Sequence, residues 1–205
     1  MNKFNIRKLE EKYVHQFSNL ILNMYSNLEN LEWFSKMPFD EENILNIIKN
    51  KRFFIIGYFE NENLAAVSCL DYKCGKILDQ LDLDKKILTS KIVEIGFSII
   101  TIKFRNKGIM KLLLDQLLLK TKEDGFEYAF CKIHNENIPS LSSAKSKGFD
   151  VATSFEKKIN KKDFLFFLSK DFTGKKAKEN VKKTLEKFEE KELITVNYKI
   201  LIKRL

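Results

Sequence analysis

The pattern of apolar and polar residues predicts helices and strands along most of the chain. Apolar residues recur every three or four positions between Leu9 and Leu28 and between Ile44 and Ile48, which is typical of amphipathic helices. Asp40 precedes the second of these runs and is expected to cap its helix. Runs rich in β-branched and aromatic residues predict strands instead. These strands are predicted at residues 2–7, 52–60, 64–72, 126–134, 151–158 and 163–170.

The stretch from Glu94 to Leu119 combines both patterns and is the centre of the predicted fold. An apolar, β-branched run predicts a buried strand, and leucines at three- and four-residue intervals predict a helix that ends at Gly125. Between them lies a short basic loop, residues 105–110. A loop that opens into a helix directs backbone N–H groups and the positive end of the helix dipole at one spot. The sequence therefore predicts a phosphate-binding loop.

The last part of the chain differs from the rest. Residues 175–191 predict a charged helix with a narrow apolar stripe, and residues 193–205 alternate apolar and polar as a strand does. A unit of this size cannot bury itself, so we expect it to pack on the remainder of the chain or on a second copy in a homodimer. We divide the chain into a main domain, residues 1–172, and a C-terminal helix–strand extension, residues 173–205.

Composition indicates a soluble globular protein. Of the 205 residues, 44% are hydrophobic and 32% are charged, and no apolar run approaches the length that spans a bilayer. The charged N-terminus lacks the apolar region of a signal peptide, so a cytoplasmic location is expected. The three cysteines, Cys69, Cys74 and Cys131, are too few and too irregularly spaced for a disulfide framework or a zinc site. Free thiols and no bound metal are expected.

The net charge of +9 raises the alternative of a nucleic-acid-binding or ribosome-associated protein that uses its lysine-rich tail. Such binding would weaken steeply with salt. The chain is rich in Lys, Asn, Ile and Phe together, which indicates a compositional bias instead. A dense arginine cluster and a stacking motif are both absent from the sequence. Nucleic acid is therefore not expected as a partner.

Two segments resemble motifs of the GNAT superfamily of N-acetyltransferases. The spacing Arg105-x-x-Gly108-x-Met110 is similar to the Arg-x-x-Gly-x-Gly/Ala loop that holds the pyrophosphate of acetyl-CoA in that family. Residues 137–149, an asparagine-led helix closed by Gly-Phe, resemble its second signature. The resemblance spans residues 1–172 and implies an α/β fold, the acyl-CoA N-acyltransferase fold, with a central mixed sheet flanked by helices.

The resemblance also implies acetyl-CoA as the cofactor and a set of residues that bind it. The main chain of Ser98, Ile99 and Ile100 is expected to face the pantetheine arm, and the side chain of Asn137 is expected to contact the cofactor. The residues expected to cradle the pyrophosphate are Arg105, Asn106, Lys107, Gly108, Ile109 and Met110. Met110 stands where the family has a small residue, a departure that bears on how tightly the cofactor is held.

The family transfers the acetyl group directly to an amine, which must first lose a proton. Glu94 is the first candidate for the base, because it lies eleven residues before Arg105, as the basic glutamate of histone-type members does. Its apolar neighbours would raise its pKa. An outward-facing or lysine-paired Glu94 is the alternative. His134, at the end of a predicted strand, is the second candidate as base or relay, with a structural loop histidine as its alternative.

The acid and the acceptor are less well defined. Ala144 stands where many family members have a tyrosine, and the nearby hydroxyls are Ser142, Ser143 and Tyr128. The acceptor is expected to be an amine of a small molecule or a peptide, selected by residues 25–40. The residues there that could attract an amine or shape a pocket are Glu29, Glu32, Trp33, Phe34, Asp40 and Glu41. A non-catalytic acyl-CoA-binding or interaction protein of the same fold is the alternative function.

Overall fold

The computed structural model describes residues 5–27, 33, 37–74, 78, 81, 83–160, 179, 182–183, 186 and 193–205. The strands are β1 (Asn5–Lys8), β2 (Phe53–Glu60), β3 (Asn63–Asp71), β4 (Ile92–Ile100), β5 (Tyr128–His134), β6 (Asp150–Asn160) and β7 (Leu193–Arg204). The helices that position the site are α1 (Val14–Asn27), α2 (Glu41–Lys49), α3 (Lys85–Thr89), α4 (Ile109–Glu123) and α5 (Ile138–Lys145). Short 3₁₀ turns at Glu11–Tyr13 and Ile102–Phe104 precede α1 and the basic loop.

The strands form one seven-stranded mixed sheet in the order β1-β2-β3-β4-β5-β7-β6. All neighbouring strands are antiparallel except β4 and β5, which run parallel. Since a parallel connection needs a crossover, α4 leaves the end of β4 and returns the chain to the start of β5. The mixed α/β fold predicted from the sequence is confirmed.

Both faces of the sheet are covered because its strands carry apolar residues on both sides. On one face, here called the front face, Phe17 and Ile21 of α1 pack with Ile99 of β4. On the back face, Leu113 of α4 packs with Val93 of β4. A third apolar cluster joins Cys74, Leu78 and Leu81 to the front-face residues Tyr128, Phe130, Ile200 and Ile202. The front face therefore has α1 and α2 at one end and this cluster at the other.

Local signals mark the ends of several elements as predicted. Asp40 caps α2, its Oδ1 atom accepting from the backbone N–H of Asn43 at 2.9 Å. Gly125 follows α4 with a φ of +74°, the left-handed conformation typical of a glycine that ends a helix. Asn61 and Glu62 both have positive φ in the turn between β2 and β3, as a tight hairpin requires. None of the described helices is long and apolar enough to cross a bilayer.

The strand assigned to the C-terminal extension, β7, is an inner strand of the sheet, between β5 and β6. Tyr198 lies opposite His134 of β5 on one side and Phe155 of β6 on the other. Its apolar stripe is thus buried within the chain. The strand predicted at residues 163–170 and the boundary at residue 172 lie outside the described residues, as does most of the helix predicted at residues 175–191.

Candidate active site

The parallel strands β4 and β5 are paired at one end only. Bridges join residues 92–94 to residues 128–130, and Glu94 with Phe130 forms the last of them. Beyond that pair the two described strands are not bridged, although both continue, to Ile100 and His134. The strands therefore separate toward their C-terminal ends and leave an opening at the centre of the sheet. Glu94 lies where the opening begins.

A β-bulge in β4 accompanies the opening. Ser68 pairs with Ser98, whereas Leu70 pairs with Ile95, so two residues of β4 face one residue of β3. Gly96 is one of the two, and a Cβ atom there would lie 2.9 Å from the Sγ atom of Cys69. Because a bulge bends its strand, it redirects the second half of β4.

The three β4 residues expected at the pantetheine arm follow the bulge. Ser98, Ile99 and Ile100 pair with β3 on one edge, and their other edge borders the opening. The hydroxyl groups of Ser68 and Ser98 are hydrogen-bonded at 2.7 Å. These contacts fix the edge of β4 that lines the opening.

The basic loop lies at the wide end of the opening, between β4 and α4. Asn106 and Gly108 have φ values of +61° and +76°, and α4 begins at Ile109. Within the described part of the chain, the backbone N–H groups of residues 106–110 donate to no protein acceptor. A Cβ atom on Gly108 would meet nothing within 4 Å, so the space beside it is open. The loop thus presents a set of free donors at a helix N-terminus, which suits an anion.

Within the described structure, the side chains of Arg105, Lys107 and Met110 form no hydrogen bond to the free backbone N–H groups of the loop. Arg105 is exposed, and its Nε atom donates to the carbonyl of Ile100 at 3.4 Å. Lys107 is exposed and lies 5.1 Å from the centre of the Phe104 ring. Met110, which replaces the family's small residue, is half-buried and packs against the back-face core.

Glu94 is half-buried on the front face and lies directly opposite Asp71 of β3. Burial, the largest cause, raises the pKa of Glu94, and the charge of Asp71 raises it further. The cations Lys132 and Arg52 oppose that shift in pKa. Arg52 is held by Asp71, through Nε–Oδ1 and Nη2–Oδ2 distances of 2.7 and 2.5 Å.

Lys132 projects from the same face of β5, two residues beyond the bridge between Glu94 and Phe130. Burial, the largest cause, lowers the pKa of Lys132, and the charge of Lys157 lowers it too, while Glu94 acts in the opposite direction. The Nζ atom lies 5.5 Å from the centre of the Tyr198 ring. A half-buried glutamate and a half-buried lysine therefore stand on the two strands that flank the opening.

His134 ends β5 and is only 8% exposed. Its ring stacks on Trp33 at 5.5 Å and meets Tyr198 edge-on at 5.6 Å. The backbone N–H of Glu136 donates to Nδ1 at 3.1 Å, so a neutral ring in this contact carries its proton on Nε2. This tautomer has no free nitrogen to accept a proton, and the geometry makes His134 part of an aromatic wall. Its predicted role as a base stays a prediction.

Helix α5 contributes a cap and a buried alanine to the site. The Oδ1 atom of Asn137 accepts from the backbone N–H of Ser140 at 3.3 Å and so caps the helix. Ala144 is 2% exposed and packs within the back-face core. Tyr128 is buried at the closed end of the opening, paired with Ile92. Ala144, at the position where the family has a tyrosine, has no proton donor to offer.

The segment expected to select the acceptor, residues 25–40, is described only in part. Trp33 is described and contacts His134, whereas Glu29, Glu32 and Phe34 lie outside the described residues. The Oε1 atom of Glu41 lies 2.6 Å from Nδ1 of His15, so that carboxylate already has a partner.

Four residues of the site were not singled out from the sequence, namely Arg52, Asp71, Lys132 and Tyr198. Lys132 and Tyr198 acquire their places through pairing between strands that are distant in sequence, and Arg52 and Asp71 meet through the register of the β2–β3 hairpin. The alternation of side chains in a strand places Lys132 on the same face as His134, and this is the signal in the sequence that could have found Lys132.

Comparison with known proteins gives the fold and the family. The structure of yncA from Salmonella typhimurium with its cofactor acetyl-CoA superposes with a TM-score of 0.65 at 13% identity, covering 100% of this chain and 95% of that chain. A ribosomal-protein-alanine N-acetyltransferase from Brucella melitensis superposes with a TM-score of 0.65 at 14% identity, over 98% and 99% of the two chains.

The paia N-acetyltransferase from Thermoplasma acidophilum, solved in complex with coenzyme A, gives a TM-score of 0.60 at 15% identity over 99% of each chain. At such identities the likeness shows the fold alone. No curated protein matches the sequence significantly. The family model described as Acetyltransferase (GNAT) family matches residues 14–149. Because this match covers more than half of the sequence, the chain belongs to the acetyltransferase (GNAT) family.

Proposed function

We propose that this protein is an N-acetyltransferase that moves an acetyl group from acetyl-CoA directly to a primary amine. The observation that carries the proposal is the opening between β4 and β5, with Glu94 where it begins and free backbone donors at its wide end. Direct transfer requires the thioester and the amine to meet beside a base. The opening gives the thioester a way in, and Glu94 can act as the base that deprotonates the amine.

The chain offers a suitable place for acetyl-CoA, whose thioester would supply the activated acetyl group. The backbone N–H groups of residues 106–110 would hold the pyrophosphate, since they have no protein acceptor within the described chain. Open space beside Gly108 and the inward packing of Met110 leave these donors accessible. The exposed side chains of Arg105 and Lys107 add positive charge nearby. The edge of β4 at residues 98–100 would border the pantetheine arm.

Glu94 would accept the proton of the incoming ammonium group. Its raised pKa makes it a stronger base than an exposed glutamate, so it serves better near neutral pH. The aromatic wall of Trp33, His134 and Tyr198 would limit the approach of water to the amine.

Titration calorimetry with acetyl-CoA tests the cofactor site, and the chain offers a matched pair of variants. Gly108 and Gly125 have φ values of +76° and +74°, and a Cβ atom would meet nothing within 4 Å at either position. A glutamate at either position costs about 1–2 kcal/mol of backbone strain. We expect Gly108→Glu to abolish binding and Gly125→Glu to bind as the wild type does. Equal binding by all three proteins, or none by the wild type, would overturn the assignment of the site.

Release of free coenzyme A in the presence of amines tests the transfer itself. Tight binding of acetyl-CoA without amine-dependent release would favour the alternative, a non-catalytic acyl-CoA-binding protein. That alternative has one structural argument in its favour, because buried Ala144 provides no acid where the family has a tyrosine. Amine-dependent release that is lost in Glu94→Gln is the result expected of the enzyme.

A further inference from the structure

The charges that flank the opening are not paired with each other. Glu94 and Lys132 are both half-buried and lie on the front face of neighbouring strands. In the described part of the chain, neither side chain has a hydrogen bond or an ion pair within 4.0 Å. The Lys132 ammonium lies 5.5 Å from the centre of the Tyr198 ring. Burying a charged group even partly costs free energy when it has no hydrogen-bonded partner. The two side chains are therefore suited to a ligand that forms hydrogen bonds with both the carboxylate and the ammonium.

The geometry limits the size of that ligand. Paired strands are about 4.8 Å apart, and β4 and β5 separate only after the bridge between Glu94 and Phe130. Lys132 is two residues beyond this bridge, so its ammonium and the Glu94 carboxylate can approach the same small group from opposite sides. A group with a cation and an oxygen acceptor a few ångströms apart would fit between them.

Trp33 lies on the same side of the opening. Its ring stacks on His134, and its Nε1–H is buried without an acceptor among the described residues. The two strands that flank the opening thus carry one cationic donor, Lys132, and one carboxylate, Glu94. A cationic donor beside a carboxylate favours a ligand with an oxygen acceptor close to its amine.

We propose that the acceptor carries an α-amino carbonyl unit, an amine with a carboxylate or carbonyl oxygen on the adjacent carbon. The amine faces Glu94 and the oxygen faces Lys132. This inference rests on the proposed transferase function and specifies its substrate class. The unit occurs in free amino acids and at the N-terminus of a peptide. A simple alkylamine leaves Lys132 without a partner, and a polyamine brings a second cation toward it, so both are expected to be poor acceptors.

Four acceptors assayed by release of coenzyme A test the inference: alanine, an Ala-Gly-Gly peptide with a free N-terminus, ethylamine and spermidine. We expect kcat/KM for alanine or the peptide to exceed that for ethylamine about 10- to 100-fold, the range for a hydrogen bond to a charged group. The preference between alanine and the peptide identifies which source of the unit is used.

Variants then connect the preference to Lys132. Lys132→Met should reduce the preference for the α-amino carbonyl acceptor over ethylamine to within about 3-fold, whereas Lys132→Arg should retain most of it. Lys199→Met is the matched control, a half-buried lysine on the opposite face of β7. It should keep the wild-type preference. Thermal melting followed by circular dichroism confirms that each variant is folded.

The outcomes separate the two proposals. Preference for ethylamine or spermidine, or a Lys132→Met variant that slows all acceptors equally, overturns the α-amino carbonyl inference and leaves the transferase function intact. Failure to acetylate any of the four acceptors, despite bound acetyl-CoA, overturns both.

Discussion

Asp71 and Glu94 lie directly opposite each other on β3 and β4, and in the described structure only Asp71 is paired with a cation. Arg52 holds both oxygens of Asp71, so its guanidinium is already committed to that carboxylate. Glu94 consequently has a fixed negative charge beside it and no ion pair of its own. Two adjacent carboxylates therefore have different environments, one held by a cation and one without an ion pair among the described residues.

Replacing the proposed base should reduce catalysis without reducing cofactor binding. Glu94→Gln is expected to lower kcat/KM about 10²- to 10⁴-fold, the usual contribution of a general base. Glu123→Gln, at the exposed end of α4, is the control and should retain full activity. Steady-state kinetics with titration calorimetry on the same preparations separate the two effects. An unchanged rate in Glu94→Gln would remove Glu94 from the mechanism.

The same substitution should stabilise the folded protein near neutral pH. The pKa of Glu94 is raised by folding, so its carboxylate destabilises the folded state as pH rises from the unfolded pKa through the folded one. Glutamine has no such charge. The midpoint temperature of Glu94→Gln should therefore exceed that of the wild type at pH 7.5, and the difference should vanish at pH values below both pKa values. A variant that is less stable at pH 7.5 would contradict this origin of the pKa shift.

Removing the partner of Asp71 should affect both stability and the pH profile. The Asp71 side chain is 10% exposed, and Arg52→Met leaves it without its cation, at an expected cost of about 1–3 kcal/mol in urea denaturation. Arg52 also lowers the pKa of Glu94, so its loss should shift the acidic limb of the kcat/KM profile to higher pH. Arg204→Met, which removes an exposed arginine of β7 with no carboxylate partner among the described residues, should change neither quantity.

Restoring the family's tyrosine should not restore an acid. Ala144 is 2% exposed within the back-face core, and Ala144→Tyr adds a ring where the core is already filled. Overpacking of this kind costs about 1–3 kcal/mol, which urea denaturation would detect. Ser142→Tyr, on the exposed side of α5, should leave stability nearly unchanged. A stable Ala144→Tyr variant with a faster rate would mean that this position reaches the opening.

The sequence predicted what is determined locally. The cap at Asp40, the glycine turn at Gly125 and the strand–loop–helix around Gly108 depend on a few neighbouring residues, and all three are present in the structure. Glu94 was singled out by its spacing from Arg105, through the family resemblance, and its role as a base stays a prediction. The apolar pattern also located β7 correctly as a strand.

What the sequence could not give is the register of the paired strands. The Arg52–Asp71 contact depends on the register of the β2–β3 hairpin, and the position of Lys132 beside the opening depends on the register between β4 and β5. The local sequence pattern also does not show that β7 lies between β5 and β6. Apolar and polar residues alternate in the same way in an inner strand and in a strand added at the edge.

The insertion of β7 has a consequence for synthesis on the ribosome. About 60 residues separate the end of β5 from the start of β7, which is roughly 3–12 s of translation at bacterial or eukaryotic speeds. During that time β5 has an unsatisfied edge, and Lys132 and His134 lack the Tyr198 ring against which they rest. The aromatic wall of Trp33, His134 and Tyr198 is therefore completed last, and until then the nascent chain can mispair along the free edge of β5, beside the site proposed for the acceptor.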